Sequence, residues 1–310
     1  VPSARKLHSK KIPTGAGIAL LISFIISIIY IFSFSHNILN DFIISCIFIV
    51  SFGFLDDVFD FSSTFKGIFQ FIFCSFFIFV LDIMLPICDL GYINILLTAS
   101  YSVIIINAFN FIDGIDGLLV SFSLLIFSLF ILVCYNSQDI DFFISLVMSS
   151  ILIAILIFNI KPAKFFLGDS GSMVLGWTIS VVSLYLPISS NVNFIDAISI
   201  IMLPLFDLFC VAIDRFKNFQ GPLYKKFLSI TNPDRNHIHH LLLEKKIDSN
   251  YSIVIIIAAS LVFLLMYNLI NIIFESSNLI LNNNFLNTIS VSLCFSMYYY
   301  WRIFVKKTIN

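Results

Sequence analysis

The 310 residues are 59% hydrophobic with a mean hydropathy of +1.03, and only 11% are charged, against roughly 25% in a soluble domain. A water-soluble fold is excluded. The formal net charge of −1 conceals a separation of sign along the chain, which is the more informative quantity in a membrane protein.

Ten apolar segments follow one another at 18–34, 42–55, 67–85, 93–109, 117–134, 142–158, 172–188, 194–213, 251–272 and 285–301. Each is near the ~20 residues that carry a helix across ~30 Å of hydrocarbon. They lack the alternation of barrel strands, and open strands would leave backbone groups unsatisfied in lipid. The chain therefore reads as an all-α, polytopic transmembrane helix bundle of about ten spans, one integral-membrane domain over 1–310. The gaps around 35–41, 86–92, 135–141, 189–193 and 273–284 hold no Lys or Arg, and all seventeen basic residues lie in the complementary gaps and ends. Retention of positive charge in the cytoplasm places both termini and the odd-numbered loops there. Cys46, Cys74, Cys88, Cys134, Cys210 and Cys294 form no C-x-x-C pair and read as small hydrophobes of the spans.

The costly polar residues gather in the cytoplasmic gaps. Asp56 and Asp57 at the end of the second apolar segment are adjacent like charges that repel unless a cation or proton intervenes; oxygen-only ligands favour Mg²⁺, with Mn²⁺ possible. After the fourth, Asn107, Asn110, Asp113 and Asp116 recur every third residue, so a continuous helix would rotate each by about 60° from the last. Gly114 and Gly117 permit unwinding that would gather them into one pocket.

Gly168-Asp169-Ser170-Gly171-Ser172 opens the seventh segment, where free backbone N–H groups suit an anionic diphosphate. Asp169 on the face of the other acids is a candidate metal ligand, the alternative being a helix N-cap. In the 214–250 loop, Asn232 and Pro233 read as cap and first residue of a short amphipathic helix. On it His237 and His240 would share a side and His239 would point elsewhere. With Arg235 they suggest a cationic or hydrogen-bonding wall for phosphate.

Taken in order, Arg5-Lys6-Leu7-His8, Gly53-x-x-Asp56-Asp57, Asn107-Ala-Phe-Asn110-x-x-Asp113-Gly-x-Asp116-Gly, Phe166-Leu-Gly168-Asp169-x-Gly171-Ser172 and Asp234-Arg235-x-His237-Ile-His239-His240 resemble the polyprenyl-phosphate N-acetylhexosamine-1-phosphate transferases of bacterial inner membranes. The resemblance covers nearly the whole chain, and its His-x-His-His form is similar to the branch that begins O-antigen and common-antigen synthesis. It implies transfer of GlcNAc-1-phosphate from UDP-GlcNAc to undecaprenyl phosphate at the cytoplasmic face of the inner membrane, with release of UMP and with Mg²⁺ as cofactor. No nucleic acid is implied.

The resemblance also implies site roles. Asp169, Asp56 and Asp57 would meet the metal, and Asp56, Asp57, Asp113, Asp116, His237, His239 and His240 would act in catalysis. Asn107, Asn110, Lys66, Asn159, Gly168 and Arg235 would contact substrate. Such proteins usually carry a further span before the Arg-Lys-x-His segment and a glycine pair near the second; here the chain begins at Val1 and shows Gly15-Ala16-Gly17, so a preceding helix is expected. Two alternatives remain at this stage: the same reaction with another UDP-N-acetylhexosamine, and, in a different class, a membrane cation transporter using intramembrane carboxylates.

Overall fold

The computed structural model describes residues 13–32, 37–86, 90–190, 192–221, 236–276 and 283–307. Among them every regular element is a helix: α1 (Ala16–Phe32), α2 (Asn37–Phe59), α3 (Ser63–Leu81), α4 (Tyr92–Ile112), α5 (Leu118–Val133), α6 (Ile140–Asn159), α7 (Gly168–Ser189), α8 (Phe194–Ile200), α9 (Met202–Asn218), α10 (Ile238–Glu244), α11 (Ser249–Ser276) and α12 (Asn283–Lys307). Each of the ten apolar segments overlaps a helix, and α2, α3, α4, α6, α7 and α11 are individually long and apolar enough to cross a bilayer. The protein is a multi-pass membrane bundle. The eighth segment departs from the single straight span expected. It breaks at Ile201 into α8 and α9, which are bent by 78°, and Pro204 in the first turn of α9 cannot donate a backbone hydrogen bond.

Helix α7 is the most enclosed of the six, packed against α1, α2, α4 and α5. Its centre is both apolar and hydroxylic, so hydrogen bonds accompany the burial. Trp177 Nε1 donates to Ser45 Oγ at 2.8 Å, Ser180 Oγ to Ser102 Oγ at 2.7 Å, and Tyr101 and Ser183 share a 2.8 Å bond. In lipid such bonds replace the missing hydrophobic drive between helices, and small residues let backbones close up. Gly53 of α2 supplies such a contact, since a Cβ there would lie 2.5 Å from Ser170 Cα; a Cβ on Gly17 of α1 would overlap the Gly171 nitrogen. The first turn of α7 is therefore gripped between two side-chain-free surfaces. Residues 13–17 complete the grip by pairing with the stretch before α7, through Phe166 N to Pro13 O at 3.0 Å and Ala16 N to Phe166 O at 3.3 Å.

The outer faces carry Ile22, Ile26, Phe48, Phe76, Phe79, Ile157 and Val262, all exposed, as lipid contact requires. Cys46, Cys74, Cys134, Cys210 and Cys294 are buried free thiols; Cys88 lies outside the described residues.

Candidate functional site

The end of α2, the start of α3, the α4–α5 turn and the start of α7 meet at one end of the bundle. Asp56, in the last turn of α2, is buried, and its Oδ1 accepts the N–H of Phe61 at 3.0 Å. Stacked rings of Phe52 and Phe69, 3.5 Å apart, hold α2 against α3. That packing brings Lys66 from the first turn of α3 to 2.5 Å from Asp56 and 3.1 Å from Asp169. One ammonium thus bridges acids 113 residues apart in sequence (169 − 56).

Asp57 does a different job. Its Oδ1 accepts the backbone N–H of Asp169 at 3.0 Å, and its Oδ2 lies 3.5 Å from both the N–H and the hydroxyl of Ser170. The helix N-terminus expected to receive a diphosphate already holds a carboxylate of the protein, a favourable place for negative charge. Gly168, at φ +69, opens this turn, and a Cβ there would strike the Asp57 carboxylate, so only glycine fits. Asp169 is inside the first turn and does not cap the helix; its side chain turns to Lys66.

On α4 the helix stays regular through Ile112 and unwinds at Asp113. The gathering expected from Gly114 and Gly117 occurs only for the two acids, while Asn107 and Asn110 remain helical and are fixed by neighbours. Asn107 Nδ2 donates to Gln70 Oε1 and to Val103 O, each at 2.8 Å, and Asn110 Oδ1 accepts Ser172 Oγ at 2.8 Å. Burial, then the charges of Asp169, Asp57 and Asp116, push the Asp113 carboxyl up to about 7. Those three charges act on Asp113 together.

Asp116 Oδ2 accepts the N–H of Ala163 at 3.1 Å. Asn159, expected among the substrate contacts, is buried with its carboxamide committed to backbone. Its Oδ1 accepts Gly117 N at 3.1 Å, and its Nδ2 donates to Phe165 O at 2.9 Å. It ties the stretch before α5 to the stretch before α7.

The histidine segment corrects the expected register. The helix begins at Ile238, and His237 is the extended residue before it, so helical spacing does not relate His237 to His240. Instead the His237 and His239 rings stack at 5.9 Å, with His239 and His240 at 4.2 Å. His239 is buried against Gly114, and neither ring nitrogen has a hydrogen-bond partner among the described residues. Burial first, then the neighbouring His240, push its imidazole down to about 3, so it is neutral near pH 7. His237 stacks on Phe111 at 5.0 Å and meets Asp207 at 2.7 Å. Arg235, with Asn232, Pro233 and Asp234, lies outside the described residues, as does Arg5-Lys6-Leu7-His8.

Gln70, Asp207, Asp214, Tyr298 and Arg302 touch expected site residues or each other, yet sequence reasoning centred on loops passes over them, and Ser172, named within its motif, was given no role there. Part of the signal was available, since an acid at 207 inside the eighth apolar segment is expensive without a partner; Arg302 lies just past the tenth.

Among the described residues no three His, Cys, Asp or Glu side chains form a ready cation cage. Mg²⁺, however, commonly takes one or two carboxylates and completes its shell with water and substrate phosphates. The all-oxygen donors and the excess of carboxylates over the Lys66 ammonium around Asp113 and Asp169 fit such an ion.

Residues 40–187 match the model of a family described as glycosyl transferase family 4. Over 273 residues, 84% of this chain and 74% of the other, the sequence is 28% identical to a probable undecaprenyl-phosphate N-acetylglucosaminyl 1-phosphate transferase of Bacillus subtilis (strain 168). It is 27% identical over 277 residues, 84% of this chain and 72% of the other, to an undecaprenyl-phosphate alpha-N-acetylglucosaminyl 1-phosphate transferase of Escherichia coli O157:H7. A decaprenyl-phosphate N-acetylglucosaminephosphotransferase of Mycolicibacterium smegmatis is 32% identical over 174 residues, 49% of this chain and 41% of that protein.

Proposed function

We propose that the chain, whose residues 40–187 match the glycosyl transferase family 4 model, is a membrane phosphotransferase moving GlcNAc-1-phosphate from UDP-GlcNAc to undecaprenyl phosphate, with UMP released. The observation that carries the reading is the convergence of Asp56, Asp57, Asp113, Asp116 and Asp169 with Lys66 and His239 at one end of the bundle. The site is on the cytoplasmic face of a bacterial inner membrane, where the basic loops lie and a nucleotide sugar is at hand.

Both reactants are anionic, so charge neutralisation and alignment are the main requirements. Mg²⁺ held by Asp169, with Asp56 and Asp57 nearby, would neutralise phosphate oxygens. Lys66 restrains Asp56 and Asp169 and offers its ammonium to the diphosphate. Asn110 and Asn107, fixed by Ser172 and Gln70, present amides to the nucleotide sugar, and Asp113 and Asp116 order the turn beside them. His239, neutral and without a hydrogen-bond partner among the described residues, is suited to exchange a hydrogen bond with a bound phosphate or hydroxyl. The product would start a cell-envelope glycan.

A cation transporter draws no support from the relatives, and these acids lie at helix ends where carrier sites occupy broken helices near the midplane. The test is transfer of label from UDP-GlcNAc into butanol-extractable lipid by the purified chain with undecaprenyl phosphate and Mg²⁺. Labelled lipid that disappears with EDTA is expected. Labelling only from a different UDP-N-acetylhexosamine would move the sugar assignment, and no labelling from any would overturn the reaction.

A further inference from the structure

The sequence motifs end at the histidine segment, but the structure continues behind it into a buried polar network built from α9 and α12. Asp207, in the middle of an apolar helix and 2% exposed, receives four groups. His237 Nδ1 stands 2.7 Å from its Oδ2, while the N–H of Ile238 at 3.1 Å and the hydroxyl of Tyr298 at 2.8 Å donate to Oδ1. Arg302 Nε is 3.9 Å from the same oxygen. Arg302 is 1% exposed and holds the segment from behind, with one nitrogen on Asp214 at 2.8 Å and another on the Asn236 carbonyl at 2.7 Å.

A carboxylate can only accept, so the proton of a neutral His237 sits on Nδ1. The opposite nitrogen, Nε2, is buried with no hydrogen-bond partner among the described residues, and its ring lies on Phe111, the residue after Asn110 in the chain. Leaving a buried acceptor unsatisfied costs free energy, and a network of this size around one imidazole is what orients a ligand-facing nitrogen in other sites.

We propose that Asp207 is a positioning residue, backed by Arg302 and Tyr298, which fixes His237 so that an Nε2 lone pair faces the site and accepts a hydrogen bond from an O–H of the bound substrate. The donor is a protonated phosphate oxygen or a sugar hydroxyl. The inference rests on the phosphotransferase reading above.

The purified full-length protein is assayed for UMP release from UDP-GlcNAc and undecaprenyl phosphate, as wild type, Asp207→Asn, His237→Ala and the double variant. Because Asp207 acts through His237, Asp207→Asn is expected to lower kcat by about tenfold to a hundredfold, with KM for UDP-GlcNAc within about threefold. The double variant should be no slower than His237→Ala, the signature of residues acting as a unit. Multiplicative losses in the double variant, or an unchanged kcat in Asp207→Asn, would overturn the inference while the wild-type activity keeps the reaction intact. Loss of wild-type turnover with every UDP-sugar would remove the reaction itself.

A second measurement does not depend on how Asp207→Asn folds. In ¹⁵N-histidine-labelled wild type, with His237 identified by its absence in His237→Gln, a neutral ring protonated at Nδ1 is expected. A ring protonated at Nε2 overturns the proposal.

Discussion

The carboxylate of Asp57 accepts the backbone N–H of Asp169 at 3.0 Å, so the last turn of α2 caps the first turn of α7. Asp57→Ala is expected to lower stability by about 0.5–2 kcal/mol, the usual cost of losing a helix cap. Asp57→Asn keeps an acceptor and gives up only charge at the positive helix end, about 0.3–1 kcal/mol. Thermal unfolding of the detergent-solubilised protein measures both. Equal losses would show that the carboxylate is held for a reason other than the cap.

Lys66 is the cation that keeps Asp56 and Asp169 compatible. Its replacement by Gln leaves two like charges adjacent, so the variant should bind Mn²⁺ more tightly than wild type. Turnover should drop by at least about tenfold, as expected when one donor to a transferring phosphoryl group is removed. Electron paramagnetic resonance of bound Mn²⁺ together with UMP release separates these effects. An unchanged Mn²⁺ affinity would detach Lys66 from the metal-binding region.

Gly53→Ala tests how closely α7 must be held. Its new methyl group meets backbone atoms of Ser170 and Asp169, which cannot swing aside as a flexible side chain would. The helices must separate, at about 1–3 kcal/mol for overpacking. Because Asp169 moves with them, activity should fall well below what the stability loss alone explains; a displacement of about 1 Å can cost about a hundredfold. Parallel melting and activity curves decide this, and full activity with a lowered melting temperature would argue against tight positional control of Asp169.

His239 carries a pH signature. Its folded imidazole is held down at about 3, against 6.5 ordinarily. Below about 6.5 the unfolded chain therefore binds more protons at this position than the folded one, and stability falls as pH drops toward 3. His239→Asn should flatten that decline, and unfolding midpoints between pH 7 and pH 4 would reveal it. Identical slopes would mean that His239 is more accessible to solvent and protons than its burial implies.

The bundle was legible because hydropathy and the sidedness of Lys and Arg are set by the bilayer alone, and the acids of the second, fourth and seventh segments pointed to one end for the same reason. What local pattern could not reveal were pairings made across the fold. The sequence around Asn159 does not show that Gly117 and Phe165 will flank its amide, and Asp207 is silent until α12 brings Tyr298 to it. The histidine register failed for a local reason: the helix starts after His237, so a spacing rule was applied across a helix boundary. The 78° break between α8 and α9 likewise leaves hydropathy unchanged while redirecting the backbone.

The crosslink made by Asn159 has an architectural meaning. With one carboxamide fastened to Gly117 and to Phe165, the entrances to α5 and α7 are cross-braced, so the pivots beneath Asp116 and Asp169 cannot drift apart independently. Separating the two entrances would require breaking at least one of these hydrogen bonds.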